Sequence, residues 1–539
     1  MDRHLSETDL RSHRKARRIR HGESRSGVHE SAADPVSGGC CRGRGVQVTW
    51  NDVVFLLPEI IISIGASLLL LAPVVGWRQR ETSAKWSMLI LLGITALTVI
   101  GCSYWVQEIP QSRSLAGMFA LDGFAIFFKL IFITAIAMIT LLSDDFLRES
   151  RYSVWEYYSL LGFALCGMMF MVSGMSLISI YIGLELMSLS SYILAGFFKN
   201  EEKSTEAAMK YFVLGAVSSG ILLYGISLIY GVCGSLNLLD IGRALSTIIT
   251  NDALMFGVML LGAGLCFKMA AVPFHVWTPD VYEGAPTPIT AFLSTASKAA
   301  AFSIFARIFY LALHDFQLDW SNVLATISAL SMVLGNLAAI TQDNVKRMLA
   351  YSSIAHAGYA LLGIISLNSL GLRGVLIYSL VYVFANLGIW ATVLMLRRHE
   401  YGGERVDDFE GLSRRAPFWA FAMVIFLLSL GGIPPTAGFI GKYFLFAAAI
   451  QAGFGWLAIL AVLMSAVSMF YYLRLVVAMY LREGREADVA ITRPLQIVAA
   501  TCLIITLLLG IYPTPLINQA TESSRWIGAR AAIIPHAGR

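Results

Sequence analysis

Seven ionisable residues lie inside long apolar runs of this chain. They are Glu185, Lys210, Lys268, His275, Lys298, His356 and Lys442. A charge at the centre of a membrane-spanning helix costs roughly 2.5–3.5 kcal/mol, so each such residue is first considered as a functional candidate. Carboxylate, amine and imidazole groups can take up and release protons. A row of them in an apolar setting therefore predicts a proton-transfer path.

Glu185 lies on a polar stripe of the segment YIGLELMSLSSY. Tyr181, Ser188 and Tyr192 recur at helical spacing around it, which places all four residues on one face of a helix. A buried acid that is only hydrogen-bonded to its surroundings is the alternative, but it would not require three polar neighbours in line. We therefore predict an ion-transfer role for Glu185, with Lys210 or Lys268 as its partner.

Lys268 precedes a proline-containing interruption in the segment LCFKMAAVPFHVWTPDVYEGAP. Pro273 breaks the helix, which frees backbone groups and lets water approach the lysine. Burial disfavours the charged form of a lysine, whereas a nearby carboxylate such as Glu185 favours it. Lys268 is thus predicted to be a proton-loading site, with a static buried ion pair as the alternative. His275, across the break, is placed to carry a proton toward Lys298.

Lys442 and Lys298 lie near further polar features. Lys442 follows a second interruption, GGIPPTAG at residues 431–438, and is the other strong candidate. Lys298 follows Thr290 and Ser294 at helical spacing, so its helix has a hydroxyl stripe that could hold water. These patterns predict that both lysines belong to the path.

Lys210 and His356 each allow two interpretations. Lys210 lies one turn after Glu206, so this pair either belongs to the path or anchors one end of its helix. His356 follows Ser352 and precedes Tyr359, and it is either a proton relay or a histidine hydrogen-bonded to a neighbour. A further polar stripe is formed by Tyr378, Tyr382 and Asn386.

The composition indicates the environment of these residues. Of 539 residues, 57% are hydrophobic and 14% are charged, against about a quarter charged in soluble domains. Mean hydropathy is +0.68, so the chain is predicted to be an all-α polytopic membrane protein. It has no GxGxxG or Walker motif. Its seven cysteines form no CxxC pair, and we expect no metal, haem, iron–sulfur cluster or other cofactor bound by this chain.

Apolar runs of about twenty residues alternate with short polar loops from residue 52 onward. They predict fourteen membrane spans, at about 53–76, 86–105, 117–142, 156–175, 177–198, 206–231, 253–282, 288–312, 319–341, 348–367, 371–396, 416–450, 454–482 and 494–517. The seventh and twelfth spans contain the two interruptions, and we expect both to be broken near mid-membrane.

The connecting loops differ in charge and predict the orientation. Loops after odd-numbered spans hold seventeen Lys and Arg residues, whereas those after even-numbered spans hold three. Because positively charged loops stay in the cytoplasm, both termini are expected to face outward.

Three regions are expected along the chain. Residues 1–48 are polar and basic, which predicts a disordered extension, and a start site near Val46 or Val48 is an alternative. Residues 49–520 form the membrane domain, and residues 521–539 form a C-terminal tail.

Five segments have a family resemblance. They are YIGLELMSLSSYIL, EAAMKYFVLGAVSSGILLYG, FKMAAVPFHVWTPDVYEGAPTPITAFLSTASKAAAF, GNLAAITQDNVKRMLAYSSIAHAGYALLG and GGIPPTAGFIGKYFLF. Together they resemble the N subunits of bacterial proton-translocating NADH:quinone oxidoreductase (respiratory complex I), which belong to the antiporter-like subunit family. The resemblance covers residues 50–520. Related L and M subunits usually read WLPDAH where this chain reads WTPDVYEG, which favours the N type.

The resemblance implies two inverted five-helix repeats, spans 4–8 and 9–13, and a proton path driven by quinone reduction elsewhere in the complex. Glu185 would be the carboxylate that tunes Lys268. Lys298 would be the central relay, and Lys442 would lie near the outward exit. Lys210 would lie between the acid and an adjoining subunit.

The resemblance also implies a set of partners. NADH, FMN, iron–sulfur clusters and quinone would be bound by other subunits, and this chain would contact a neighbouring antiporter-like subunit and small membrane subunits in the bacterial inner membrane. We expect no nucleic-acid partner. A subunit of a multisubunit cation/proton antiporter is the alternative function. A small-solute permease would explain the broken helices but not the row of lysines.

Overall fold

A computed structural model describes residues 50–76, 81–108, 113–114, 117–148, 153–246, 251–314, 317–396, 403–483 and 491–533. The predicted extension at residues 1–48 lies outside the described residues and stays a prediction. The described part is largely helical, and its strands are the two-residue antiparallel pair β1 (Arg113–Ser114) and β2 (Phe119–Ala120).

The helices follow the order of the predicted spans, with several short additions. They are α1 (Trp50–Phe55), α2 (Leu57–Leu71), α3 (Glu81–Glu108), α4 (Gly123–Arg148), α5 (Val154–Ser173), α6 (Leu177–Ala195), α7 (Glu202–Cys233), α8 (Leu238–Leu245), α9 (Asp252–Met269), α10 (Trp277–Gly284), α11 (Thr287–Ser294), α12 (Ala296–Leu311), α13 (Gln317–Ile340), α14 (Val345–Ile365), α15 (Ser369–Met395), α16 (Leu412–Arg415), α17 (Pro417–Gly431), α18 (Ala437–Gln451), α19 (Gly455–Leu481), α20 (Arg493–Ile511) and α21 (Thr514–Ile533). A 3-10 helix, Val406–Phe409, precedes α16.

The predicted membrane architecture is confirmed. Twelve helical segments of the described part are long and apolar enough to cross a membrane, and shorter apolar helices occur at α2, α17 and α18. Counting α17 and α18 as one broken span gives the fourteen predicted spans. The chain is therefore a multi-pass, all-α membrane protein.

Both predicted interruptions are present. Helix α9 ends at left-handed Ala270 (φ 60°), and the chain resumes a helix only at Trp277. Helix α17 ends at left-handed Gly432 (φ 81°), and α18 begins at Ala437. In each break a left-handed residue turns the chain out of the helix before the prolines, which cannot continue it.

One further interruption was not predicted. The eighth span, expected to be continuous over 288–312, is divided into α11 and α12 at Thr295 (φ −117°, ψ −83°). The Thr295 hydroxyl donates to the Ala291 carbonyl at 2.5 Å and so satisfies a carbonyl of the preceding turn. A threonine has no strong helix-breaking signal of its own, which is why the sequence pattern did not indicate this break.

The described helices differ from the sequence expectations at three places. Helix α4 begins at Gly123 rather than near residue 117, because β2 occupies the intervening residues. Helix α8 was not predicted. The boundary between the membrane domain and a tail at residue 520 falls inside α21, which buries Leu516, Ala520 and Ile527. Both α8 and α21 are amphipathic, and a search for continuous apolar runs does not detect such helices.

Close glycine contacts bring together the helices around Glu185 and Lys268. A Cβ added to Gly225 of α7 would lie 2.7 Å from the carbonyl oxygen of Gly257 in α9. Small residues let the backbones of membrane helices approach to this distance. Since α6 also packs on α7, the acid-bearing α6 and the lysine-bearing α9 lie in one helix group.

Candidate functional site

Lys268 contacts the predicted polar stripe of α6. Its Nζ atom donates hydrogen bonds to the Ser188 hydroxyl at 2.7 Å and to the Tyr192 hydroxyl at 3.2 Å. The ammonium group also lies 5.6 Å from the centre of the Tyr192 ring. The side chain is buried, and it is the last cationic group before the break between α9 and α10. The stripe predicted from sequence spacing therefore faces Lys268.

Glu185 lies one turn before Ser188 on the same face of α6. Its Oε1 atom is buried and accepts no hydrogen bond from the described residues. Within this part of the chain Glu185 forms no ion pair of 4 Å or less, and Lys268 is hydrogen-bonded to the hydroxyls of Ser188 and Tyr192 instead. The two predicted partners are therefore not in direct contact, and a shift of either side chain would be needed for contact.

Lys210 is not a partner of Glu185. Its Nζ atom lies 2.7 Å from both Glu206 and Asp280. The local pair expected from the i, i+4 spacing is thus present, and Asp280 joins it to α10. These side chains line a charged cleft formed by Lys203, Glu206, Lys210, Asp280, Glu283 and Arg347. Lys210 therefore anchors one end of α7 to the second half of the broken helix.

Lys298 is buried in α12, three residues after the unpredicted break. Its Nζ atom donates to the Ser353 carbonyl at 2.7 Å and to the Ser353 hydroxyl at 2.8 Å. The predicted stripe of Thr290 and Ser294 does not reach it. Both hydroxyls donate to backbone carbonyls, and Ser294 also accepts from the Trp390 indole at 2.8 Å. The hydroxyl that Lys298 uses comes from α14 instead.

His356 joins hydroxyl groups from two other helices. Its Nδ1 atom lies 2.5 Å from the Tyr378 hydroxyl of α15, and its Nε2 atom lies 3.2 Å from the Tyr472 hydroxyl of α19. Tyr472 in turn shares a hydrogen bond of 2.6 Å with Ser352. The predicted polar stripe of α15 thus faces His356 through Tyr378, and the imidazole is held by two groups that can both donate and accept protons.

Lys442, the last residue of the series, lies on α18 directly after the second helix break. Its Nζ atom donates to the Gly431 carbonyl at 3.0 Å, the end of α17, and to the Ser465 hydroxyl of α19 at 2.6 Å. The ammonium group lies 4.7 Å from the centre of the Tyr359 ring. A small cavity between α14, α15, α17 and α18 is lined by both His356 and Lys442. The two groups therefore share one polar pocket.

His275 lies in the break between α9 and α10. Its Nδ1 atom is buried and has no hydrogen-bond partner among the described residues. No contact in this part of the chain joins it to Lys298. The predicted transfer between these two residues stays a prediction.

The chain is similar to known membrane proteins over most of its length. Residues 174–511 match the family model described as NADH:quinone oxidoreductase/Mrp antiporter, TM. The NADH-quinone oxidoreductase subunit N 2 of Solibacter usitatus is 43% identical over 482 residues, covering 88% of this chain and 97% of the relative. This chain belongs to the subunit N family of NADH-quinone oxidoreductase.

Chains of two solved structures have the same fold as this chain. A chain of respiratory complex I from Thermus thermophilus with bound aureothin aligns with a TM-score of 0.73 at 32% identity, over 86% of this chain and 98% of that one. A chain of the Mrp complex from Dietzia sp. DQ12-45-1b aligns with a TM-score of 0.79 at 20% identity, over 90% of this chain and 99% of that one. The Mrp likeness shows the fold alone.

Two of the buried ion pairs outside the lysine series of this subunit N family member contain cations that lie within predicted spans. Lys129 of α4 lies 2.5 Å from Glu59 of α2, and Arg307 of α12 makes two 2.8 Å contacts with Asp122. Both cations therefore contact an acid on another part of the chain. In each pair the opposite charge lies within 2.8 Å, which offsets part of the cost of burying the two groups.

Sequence reasoning missed the acidic members of these pairs. Glu59 is the one acid of the first apolar run, LPEIIISIGASLLLL, and that isolation was an available signal. Asp122 precedes α4 and also accepts from the backbone amide of Ala125 at 2.7 Å, so it looks like an ordinary helix-start residue. Its pairing with Arg307 joins residues 185 positions apart, and no local pattern predicts such a contact.

Proposed function

We propose that this chain is a proton-translocating membrane subunit of NADH:quinone oxidoreductase, in which Glu, Lys and His side chains move protons while quinone is reduced elsewhere in the complex. One observation supports this most strongly. Two broken helices each place a buried lysine beside a hydroxyl, Lys268 beside Ser188 and Lys442 beside Ser465, and Lys298 and His356 lie along the chain between them. Hydroxyls can accept one proton while they release another, so this arrangement suits proton transfer.

The proposed order begins at Glu185. When its carboxylate is ionised it favours the ammonium form of Lys268, and when it is neutral Lys268 releases its proton. The proton then passes through the region of His275 to Lys298, and on through His356 to Lys442. Lys210 holds the cytoplasmic end of α7 against α10 and so fixes the position of the break.

The proposal assigns the remaining chemistry to partners. NADH, FMN, iron–sulfur clusters and quinone are bound by other subunits, and this chain has no redox centre. It lies in the inner membrane of a bacterium beside another antiporter-like subunit and small membrane subunits, with both termini outward. The charge difference between its loops supports that orientation.

Variants of Glu185 and Lys268 in the whole complex test the proposal. Glu185→Gln and Lys268→Ala are expected to lower NADH-driven proton uptake in membrane vesicles while the complex still assembles. Asp240→Asn, at an exposed position of α8, is the control and is expected to pump normally. Wild-type proton uptake by an assembled Lys268→Ala complex would overturn the proposal.

A second experimental outcome would replace the proposed function with the antiporter alternative. If the chain purifies without flavin and iron–sulfur subunits, and its vesicles exchange a cation for protons without NADH, the chain is an antiporter subunit instead.

A further inference from the structure

Helix α10, the half-helix that follows the first break, has two polar faces. Asp280 and Glu283 project into the charged cleft, where they pair with Lys210 and Arg347. Thr278 and Tyr282 are spaced by one helical turn on another face, and both are fully buried. The first face is satisfied by ion pairs, whereas the second carries hydroxyl groups into the protein interior.

The hydroxyls of this second face make no hydrogen bond of 3.5 Å or less in the described part of the chain. Thr278 Oγ1, the Tyr282 hydroxyl and the hydroxyl of Tyr382 on α15 are all buried and without such a bond, although Tyr282 faces the Ser353 side chain and Tyr382 faces the Asn386 side chain. Buried hydroxyls in native proteins are almost always hydrogen-bonded, and where no protein group serves, water does. Three such groups close together therefore mark a place suited to ordered water.

These groups lie between the first break and the central lysine. The Thr278 amide donates to the His275 carbonyl at 2.9 Å, so Thr278 directly follows the break. The Tyr282 hydroxyl faces the Ser353 side chain, which accepts from Lys298. Tyr382 neighbours Tyr282, and its ring lies 5.0 Å from the ring of His356.

The proposed proton path has a gap at this position. No contact among the described residues joins Lys268 or His275 to Lys298, although the proposed function requires a proton to cross between them. The unpartnered hydroxyls of α10 occupy that interval, and a tyrosine hydroxyl can accept a proton from one water while it releases its own to the next.

We propose that Thr278, Tyr282 and Tyr382 form a hydroxyl bridge that carries protons, through water, from the first helix break to Lys298 and His356. In each step one O–H bond forms as another breaks, so every tyrosine is neutral before and after the transfer. The bridge deepens the proposed function and rests on it. It makes Tyr282 a relay residue rather than a packing residue.

Tyr282→Phe in the assembled complex is the main test. This change removes one oxygen and keeps the ring, and it breaks no protein hydrogen bond of 3.5 Å or less among the described residues. A purely structural role thus predicts no loss of function. The bridge predicts that NADH-driven proton uptake falls by about tenfold, the effect of a modest rise in one transfer barrier. NADH oxidation by the uncoupled redox subunits, measured with an artificial acceptor, is expected to stay unchanged.

Tyr157→Phe is the matched control. Tyr157 is equally buried, but its hydroxyl is bonded to Ser143 at 2.8 Å and lies on α5, away from the lysines. The Tyr157→Phe variant loses a protein hydrogen bond. If removing a buried tyrosine hydroxyl lowers the stability of the complex, the loss of stability appears in this variant first. We expect it to pump normally. An equal loss in the Tyr157→Phe and Tyr282→Phe complexes would overturn the bridge.

Further variants separate the bridge from the proposed function. If Tyr282→Phe fails to assemble, Tyr382→Phe is measured in its place, and normal pumping by that variant overturns the bridge. Normal pumping by Tyr282→Phe beside defective Lys298→Ala overturns the bridge and leaves the proposed function standing. Normal pumping by Lys298→Ala overturns the proposed function itself.

Discussion

The three buried lysines of the series are held by different acceptors. Lys268 uses two side-chain hydroxyls, Lys298 uses the carbonyl and hydroxyl of Ser353, and Lys442 uses the carbonyl at the end of α17 and the Ser465 hydroxyl. A carbonyl stabilises an ammonium group but cannot pass a proton on, whereas a hydroxyl can do both. The hydroxyl beside each lysine is therefore the group to change when proton transfer is tested.

Ser465→Ala is expected to weaken the loading of Lys442. A hydrogen bond to a charged group contributes roughly 1.5–3 kcal/mol, so the variant destabilises the ammonium form while the Gly431 carbonyl still holds the side chain in place. Proton uptake by vesicles that contain the assembled complex should fall by about tenfold, since about 1.4 kcal/mol corresponds to that factor.

Ser468→Ala is the control for this prediction. Ser468 lies one turn further along α19, is buried, and donates to the Ser465 carbonyl at 2.6 Å without contacting Lys442. The two variants remove the same atom from neighbouring positions. Equal proton uptake in both would show that the Ser465 hydroxyl does not serve the lysine.

Sequence spacing predicted which residues share a helix face better than it predicted the partners of the buried lysines. Helical spacing placed Ser188 and Tyr192 on the face of Glu185, and both contact Lys268. The partner of Lys298, in contrast, is on α14, and the hydroxyls nearest to Lys298 in sequence serve backbone carbonyls. Spacing describes one helix face, whereas the choice of partner depends on which helices pack together.

At the scale of elements, the second break depends on a very close contact between its own two halves. A Cβ added to Gly438 of α18 would lie 1.7 Å from the Ser429 carbonyl oxygen of α17. The Gly438 amide also donates a hydrogen bond to the Ser429 hydroxyl at 3.1 Å, which joins the two half-helices at this point. The crossing holds Lys442 within reach of the Gly431 carbonyl.

Gly438→Ala is expected to push α18 away from α17 and to lower proton uptake. This loss is expected to exceed any effect of the change in helix propensity. A contact of this length requires a backbone shift, and overpacking typically costs about 1–3 kcal/mol. The thermal stability of the purified complex and its proton uptake are the measurements. Gly93→Ala in α3, where a Cβ would meet nothing within 4 Å, is the control and should change neither.

The helices and their breaks show which structural features a local sequence pattern can predict. Prolines, flanked by glycines in the second case, indicated both broken helices correctly. The break at Thr295 and the amphipathic α8 and α21 were missed. The break at Thr295 lies beside a contact with another helix, the bond from the Trp390 indole to Ser294, which is absent from any local window. The amphipathic helices have no continuous apolar run that a search could detect.

At the scale of the whole molecule, burial is uneven among the spans. The helices with the relay residues Lys298 and His356 are almost completely enclosed, whereas α3, α7, α19 and α20 leave most of their central residues open to lipid or to neighbouring subunits. A proton path that runs through the enclosed helices is shielded from the bilayer. Its direction across the membrane then depends on the orientation of the chain.

Cysteine labelling tests that orientation. The loop charges predict that Asp240 on α8 faces outward and that Glu202 at the start of α7 faces the cytoplasm. Both positions are exposed, and the described native cysteines are buried or half-buried. In a chain with Cys40→Ser and Cys41→Ser, a membrane-impermeant maleimide should label the Asp240→Cys variant in spheroplasts. The Glu202→Cys variant should react only after the membrane is opened, and the reverse pattern would invert the proposed direction of every step.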